Sequence, residues 1–199
     1  MLCASLLEIM WREDKMAQDF RNDSSHCLFI GNRDLTQVIQ TDERELAELG
    51  GSFDAIADRM QELVDYANKK GYILGYEENS RLVDPVLADF QRRYGEDFQK
   101  NPEAWEEYRQ AWAQTLAKHP KTHYDGKVAV LQIMGTRGFQ VCPFGCPTTW
   151  SEDVEIASRK NGRALTINKG TAHLARAHRL LEKDNQYGIS AKEFYESFM

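Results

Sequence analysis

The chain has 199 residues, of which 42% are hydrophobic and 28% are charged, and its formal net charge is −6. This composition is typical of a soluble globular protein and excludes a disordered or fibrous chain. No apolar run approaches the roughly 18 residues that a membrane-spanning helix needs, so we expect no membrane partner.

The charge is divided unevenly along the chain. Residues 1–126 have 15 Lys and Arg against 24 Asp and Glu, a net charge of −9, whereas residues 127–199 have 10 against 7, a net charge of +3. The division predicts an acidic helical domain over 1–126 and a second module over 127–199, which could also pack as one domain. An excess of three positive charges is too small to indicate a dedicated nucleic-acid-binding protein.

The first residues, MLCASLLEIMW, lack the basic leader of a secretory signal peptide. Their apolar residues have the spacing of one face of a short helix, for which we predict packing on the core. Without an export signal we expect a cytoplasmic location. In that reducing compartment, paired cysteines indicate metal binding or reactivity before disulfides.

Helical patterns fill the first part. Apolar residues at helical spacing predict a helix that stops at Gly50-Gly51. A second helix is predicted to begin after Ser52, as its N-cap, and to end at Gly71. The stretch YILGY at 72–76 is interpreted as a short strand or an extended linker.

Two prolines mark the helices that follow. Asp84-Pro85 predicts the start of a helix that ends near Gly95. Asn101-Pro102 predicts another start, because proline at the first helical position lacks only an N–H that would be unbonded there. His119-Pro120 ends that helix.

The pattern changes to strands after residue 127. KVAVLQIMG predicts a strand, and Gly135 and Gly138 are expected to flank a turn after it. Two further stretches with β character flank Asn161-Gly162, which favours a two-residue hairpin turn. These strands and the preceding helices predict an α+β fold class.

The last segments return to helix. A helix is predicted to start at Gly170-Thr171, with Thr171 as its N-cap. Ser190 and Glu193 have the spacing of a capping box, which predicts a final short helix.

A possible metal site spans the hairpin and the helix after it. FQVCPFGCPTTW at 139–150 contains Cys142 and Cys146, and TAHLARAH contains His173 and His178. Thiolate and imidazole are common Zn²⁺ ligands at such spacings. Gly145 would let the backbone turn tightly enough for both sulfurs to face one point. The order of knuckle, hairpin and helix over 139–183 resembles a treble-clef-like zinc finger, and this resemblance implies zinc as the cofactor.

Helix geometry leaves the ligand number open. His173 and His178 lie about 140° apart around an ideal helix, so they can share one ion only where the helix is distorted or ends. Four ligands would make a closed structural site. Three would leave room for water and suggest a metal-dependent hydrolase, with these candidate helper groups: Glu152, Asp153, Glu155 and His123.

Two other uses of the cysteines remain open. They could pack as small hydrophobic residues, with the histidines at the surface. A redox role is disfavoured, because C-x3-C differs from the C-x-x-C of thioredoxin-like proteins.

Basic residues cluster around the predicted hairpin turn: Arg159, Lys160, Arg163 and Lys169, followed by Arg176 and Arg179. They could contact the phosphates of a nucleic acid or a protein partner. Alternatively, they are solvated or meet the acidic helices, whose row of Asp54, Asp58 and Glu62 is predicted to be a solvated face.

The first functional hypothesis is a non-enzymatic binding or regulatory protein with a structural zinc site. The alternative is the hydrolase.

Overall fold

A computed structural model describes residues 35–71, 73–181 and 189–199, with 136–138 described by their backbone alone. The helix predicted within residues 1–11 lies outside this range. The helices are α1 (Leu35–Glu48), α2 (Phe53–Lys70), α3 (Tyr76–Tyr94), α4 (Pro102–Ala117), α5 (Lys169–His178) and α6 (Ala191–Phe198). The strands are β1 (Val128–Val141), β2 (Thr149–Ser158) and β3 (Ala164–Ile167), and short 3-10 helices cover Phe98–Lys100 and Pro120–Thr122.

Local capping signals explain several of these boundaries. The Ser52 side chain accepts a hydrogen bond from the Ala55 N–H at the start of α2, and Gly71 ends that helix with φ of 67°. Asn101 caps α4 ahead of its first-position proline. At α6, Ser190 forms the predicted capping box. Each signal satisfies backbone groups that a helix leaves unbonded at its ends, and each of these predictions is confirmed.

The predicted start of α3 is wrong. The helix begins at Tyr76 and continues through Pro85, and residues 73–75 ahead of it form no strand. Proline inside a helix removes one hydrogen bond and costs about 3 kcal/mol. Packing of α3 on α4 and on the 3-10 helix before it offsets this cost, because the buried Phe90 ring lies 5.5 Å from Tyr108 of α4 and 5.8 Å from Phe98 between centroids.

The predicted turn at Gly135 and Gly138 is also wrong. β1 passes through both glycines to Val141, and its register against β2 shifts between Gly135 and Gln140. The extra residues therefore form a bulge rather than a chain reversal, because pairing with β2 resumes beyond them.

Two further predictions, one for the connection before β3 and one for the helix after it, are wrong. The connection from β2 is a longer loop over 159–163 instead of a two-residue turn. Gly162 has φ of 74°, but Asn161 has no positive φ, as a type I′ turn would require. The N-cap of α5 is Asn168, and Thr171 is its capping-box partner at the third helical position.

The three strands form an antiparallel sheet in the order β1-β2-β3, with helices on both faces. Val128 and Val130 face a core shared with α2, α5 and α6, whereas Ala129 and Leu131 face α4. This mixture of helices and an antiparallel sheet confirms the α+β class. One core includes residues from both sides of residue 126, and the proposed division into two parts stays a prediction. Among the described helices, none combines the length and apolar character needed to cross a bilayer.

Candidate metal centre

The two cysteines lie in the tight connection between β1 and β2. The Cys142 N–H donates to the Thr148 carbonyl at 3.1 Å, and the Gly145 N–H donates to the Cys142 carbonyl at 3.1 Å. Gly145 has φ of 74°, a conformation that side chains with a Cβ rarely adopt. These bonds fold the segment into a knuckle that holds Cys146 close to Cys142, as expected from the glycine.

The two histidines lie on α5, and the helix ends at the second of them. Arg179 takes the left-handed conformation with φ of 52°, and the Leu180 N–H bonds to the Leu174 carbonyl at 3.2 Å. His178 is thus the last helical residue. Its ring lies 5.2 Å from that of His173 between centroids, at an interplanar angle of 79°. The rings meet despite the wide angle expected on an ideal helix.

Four side chains converge on one point. Nε2 of His178 lies 3.4 Å from Sγ of Cys142 and 3.3 Å from Sγ of Cys146. One ligand atom from each of these residues and from His173 lies within 4.8 Å of all the others. A neutral imidazole nitrogen has one lone pair, so it cannot accept hydrogen bonds from two thiols at once. In a tetrahedral zinc site, bonds of about 2.3 Å to sulfur and 2.0–2.1 Å to nitrogen separate these atoms by about 3.6 Å.

The remaining ring nitrogens also fit a metal site. Nδ1 of His173 lies 3.5 Å from Oγ1 of Thr148, which leaves its Nε2 as the second nitrogen. That Nε2 is buried without a hydrogen-bond partner, as is Nδ1 of His178. Buried polar atoms are rarely left unpaired, because their desolvation is costly. A cation bound at His173 Nε2 would satisfy one of them.

The pKa shifts suit ligands that coordinate a cation. Burial lowers the pKa of His178 to about 4, with the charge of His173 adding to the effect, and burial also lowers the pKa of His173. Both rings are therefore neutral at neutral pH, and neutral imidazole is the form that binds metal. Burial and the neighbouring Cys142 raise the pKa of the Cys146 thiol. Its thiolate thus needs a cation beside it.

An apolar shell packs against these four residues. The Phe144 ring stacks on His178 with centroids 4.1 Å apart and planes 18° apart. Val38 of α1 and Trp150 of β2 pack into the same cluster. The Trp150 indole N–H donates to Gln140 at 2.6 Å, which fixes the ring beneath the start of α5. The shell covers the cluster in part, since Cys142 is buried whereas Cys146, His173 and His178 are each partly exposed.

Three residues of the cysteine stretch contact the cluster although no role was predicted for them from the sequence: Phe144, Thr148 and Trp150. Their contacts with α5 depend on residues more than 20 positions away. The sequence signal that could have identified them is the presence of aromatic residues beside the C-x3-C pair, which could pack against its ligands.

The carboxylates predicted as helper groups for an open site have other partners or are exposed. Glu155 is buried and accepts a hydrogen bond from Nη2 of Arg109 at 3.0 Å. Asp153 accepts from Nδ2 of Asn168 at 2.8 Å, and Glu152 is exposed. The four-residue cluster contains no carboxylate. The fourth candidate, His123, lies at the end of α4, where Nε2 contacts the Ala117 carbonyl at 3.1 Å.

The basic residues predicted to contact a partner remain on the surface. The exposed group comprises Arg159, Lys160, Arg163 and Lys169. Arg159 donates to the Asp125 carbonyl at 2.8 Å, and Lys160 lies 3.4 Å from the Glu196 carbonyl. Both partners are neutral backbone groups, so neither contact neutralises a charge.

Two basic residues, one on α5 and one directly after it, meet the acidic helix α2. Arg176 pairs with Asp58, and Arg179 pairs with Asp54 at 3.0 Å. The acidic row on α2 is therefore partly paired with cations of the C-terminal part rather than wholly solvated. These pairs join α2 to the helix that carries both histidines.

Comparison with known protein families, curated proteins and solved structures finds no match to this chain.

Proposed function

We propose that Cys142, Cys146, His173 and His178 bind one Zn²⁺ as a closed, four-ligand structural site. The observation that carries this proposal is the convergence of two thiols and two imidazoles within 4.8 Å, with His178 Nε2 next to both sulfurs. Two sulfur and two nitrogen ligands are a common set for structural zinc. Zinc is favoured over magnesium or calcium, because those ions prefer oxygen ligands.

The consequence of such a site is stability. The ion would tie the β1–β2 knuckle to both histidines of α5, so the knuckle, hairpin and helix would form a treble-clef-like unit. Zinc present at 1,000 times its dissociation constant would stabilise the native state by about 4.1 kcal/mol. The reduced thiols that the site requires agree with the cytoplasmic location expected from the sequence.

We further propose that the protein is a non-enzymatic binding or regulatory protein. Its partner, a protein or a nucleic acid, would contact the basic surface formed by Arg159, Lys160, Arg163 and Lys169. The exposure of these residues supports such a contact. The hydrolase alternative requires an open coordination position with a carboxylate or imidazole beside it. The engaged positions of Asp153 and Glu155 disfavour that alternative.

The test is zinc content by mass spectrometry together with thermal unfolding of untagged protein purified without added metal. The variants are single Ala substitutions at the four proposed ligands. His123→Ala and Cys27→Ala are the matched controls, because each removes the same type of group elsewhere in the chain. We expect one zinc per chain in the wild type and the controls. Loss of zinc should lower the melting temperature by about 8–16 °C, the equivalent of about 4 kcal/mol for a chain of this size.

Other outcomes are equally informative. Zinc retained by either His173→Ala or His178→Ala would contradict the closed site and favour the hydrolase alternative. Wild-type protein without metal that also fails to take up added zinc would refute the metal site altogether.

A further inference from the structure

A second candidate site lies at the end of α4, away from the four proposed zinc ligands. A cleft opens there between the end of α4 and the β2–β3 loop. Its polar lining comes from Gln114, Lys118, His123, Arg159 and Asn161. Three of these side chains are basic, and the cleft lining contains no Asp or Glu.

The loop that forms one wall is held in place by its own bonds. The buried Ser158 hydroxyl accepts from the N–H of Lys160 at 3.3 Å and from that of Asn161 at 3.5 Å. Asn161 also donates to the Ser197 hydroxyl at 3.0 Å. Gly162 lies so close to α4 that an added Cβ would come within 2.9 Å of Gln114. A wall fixed in this way loses little conformational entropy when a ligand binds.

The basic groups of the cleft keep their charge available. Lys118 forms no ion pair among the described residues, and Arg159 bonds only to a backbone carbonyl there. That carbonyl belongs to Asp125, whose carboxylate pairs with Arg59 and accepts the Lys127 N–H. The Asp125 carboxylate is thus already paired, and it does not neutralise the charge of Arg159.

Two carbonyls at the end of α4 have side-chain hydrogen-bond donors. Helix C-termini carry a partial negative charge that would repel an anion. The Ala117 carbonyl accepts from His123 Nε2 at 3.1 Å, and the Leu116 carbonyl accepts from the Thr122 hydroxyl at 2.9 Å. These bonds satisfy two of the carbonyls that the helix end leaves without an intrahelical partner beside Lys118.

We infer that this cleft binds a phosphate group, held by the Lys118 ammonium and the Arg159 guanidinium. Arginine matches a phosphate with two parallel N–H donors, and lysine contributes a compact charge. The shared chemistry is a phosphate dianion, either free or as the monoester of a small molecule. This inference uses Arg159, which also belongs to the proposed partner surface. It does not depend on zinc, because none of the four proposed ligands lines the cleft.

The experiment is a titration of the full chain at constant ionic strength, followed by amide NMR shifts. Inorganic phosphate and glycerol phosphate are the two probes. We expect saturable binding, with Lys118→Gln and Arg159→Gln each weakening it by about tenfold. Lys69→Gln and Arg81→Gln are the matched controls, since they remove the same charges from exposed positions that line neither the cleft nor the proposed partner surface. They should change the affinity by less than about twofold, because exposed and separated charges are screened by salt.

Two results would overturn the inference: no saturable binding of either probe, or equal weakening by all four substitutions, which would show diffuse charge attraction. Tighter binding of glycerol phosphate would identify an ester as the ligand, and tighter binding of inorganic phosphate would identify the free ion. Zinc content measured on the same samples separates this test from that of the metal site.

Discussion

Helix propensity and packing predict opposite effects on stability when Gly170 is replaced by alanine. Gly170 is the second residue of α5, where alanine should stabilise the helix by about 0.5–1 kcal/mol. In the fold, an added Cβ would lie 2.1 Å from the Trp150 ring. Carbon atoms in contact prefer about 3.5–4.0 Å, so the ring or the helix must move by more than 1 Å.

The magnitude follows from how firmly the ring is held. Trp150 is 9% exposed and its N–H bonds to Gln140 at 2.6 Å, so the ring cannot swing away without losing both burial and a hydrogen bond. Overpacking of this kind costs about 1–3 kcal/mol, and occasionally more. The 2.1 Å contact puts this site at the upper end of that range, about 3 kcal/mol. After the propensity gain of about 0.5–1 kcal/mol, we expect Gly170→Ala to lower the free energy of unfolding by about 2 kcal/mol and the melting temperature by about 4–8 °C.

Urea unfolding at a fixed concentration of added zinc measures this change. Gly75→Ala is the matched control, because an added Cβ there meets nothing within 4 Å. In a Trp150→Ala background, Gly170→Ala should cost much less, since the clash is gone. A Gly170→Ala protein as stable as the wild type, or more stable, would refute the packing argument.

Three further predictions concern other parts of the fold. Glu155→Leu removes the buried carboxylate that pairs with Arg109 at 3.0 Å but leaves the pair with Glu106 at 3.2 Å, so it should cost about 3 kcal/mol in urea unfolding, the low end for a broken buried pair. The double variant with Arg109→Met should recover most of this loss, and an equal loss in both would contradict the argument. Burial and a hydrogen bond to Glu62 raise the pKa of Tyr124 to about 12, above the usual value of about 10, so the stability that its protonated form contributes is complete below about pH 10 and lost as the pH rises toward 12. Tyr124→Phe should therefore flatten the fall of stability over that range, and an unchanged slope would count against the shift. Asn168→Ala removes the N-cap of α5 and should cost about 1 kcal/mol by the same unfolding assay, while no loss would show that the cap is dispensable.

Where the sequence predicted structure well, the signals act within a few residues. Ser52, Asn101 and Ser190 each cap a helix whose start was predicted from them. The interaction is complete within three positions of the chain, so no distant residue can change it. The start of α3 failed for the opposite reason, since Pro85 is tolerated inside the helix through packing of α3 on α4.

The candidate metal site also depends partly on local sequence signals and partly on tertiary packing. The types and spacing of the cysteines and histidines in the sequence predicted the four members. The sequence could not decide whether both histidines reach the cysteines, because an ideal helix places them far apart in angle. In the fold, the end of α5 at His178 and the Phe144 ring stacked on it bring Nε2 to both sulfurs.

The sequence alone determined the α+β class, the starts of α2, α4 and α6 and the residues capable of holding a metal, because composition, periodicity and capping are local properties. The tertiary structure alone decided the convergence of the four side chains, the close approach of Gly170 to Trp150 and the basic cleft. Lys118, His123 and Arg159 span more than 40 positions of the chain. They meet only because the β2–β3 loop packs against the end of α4.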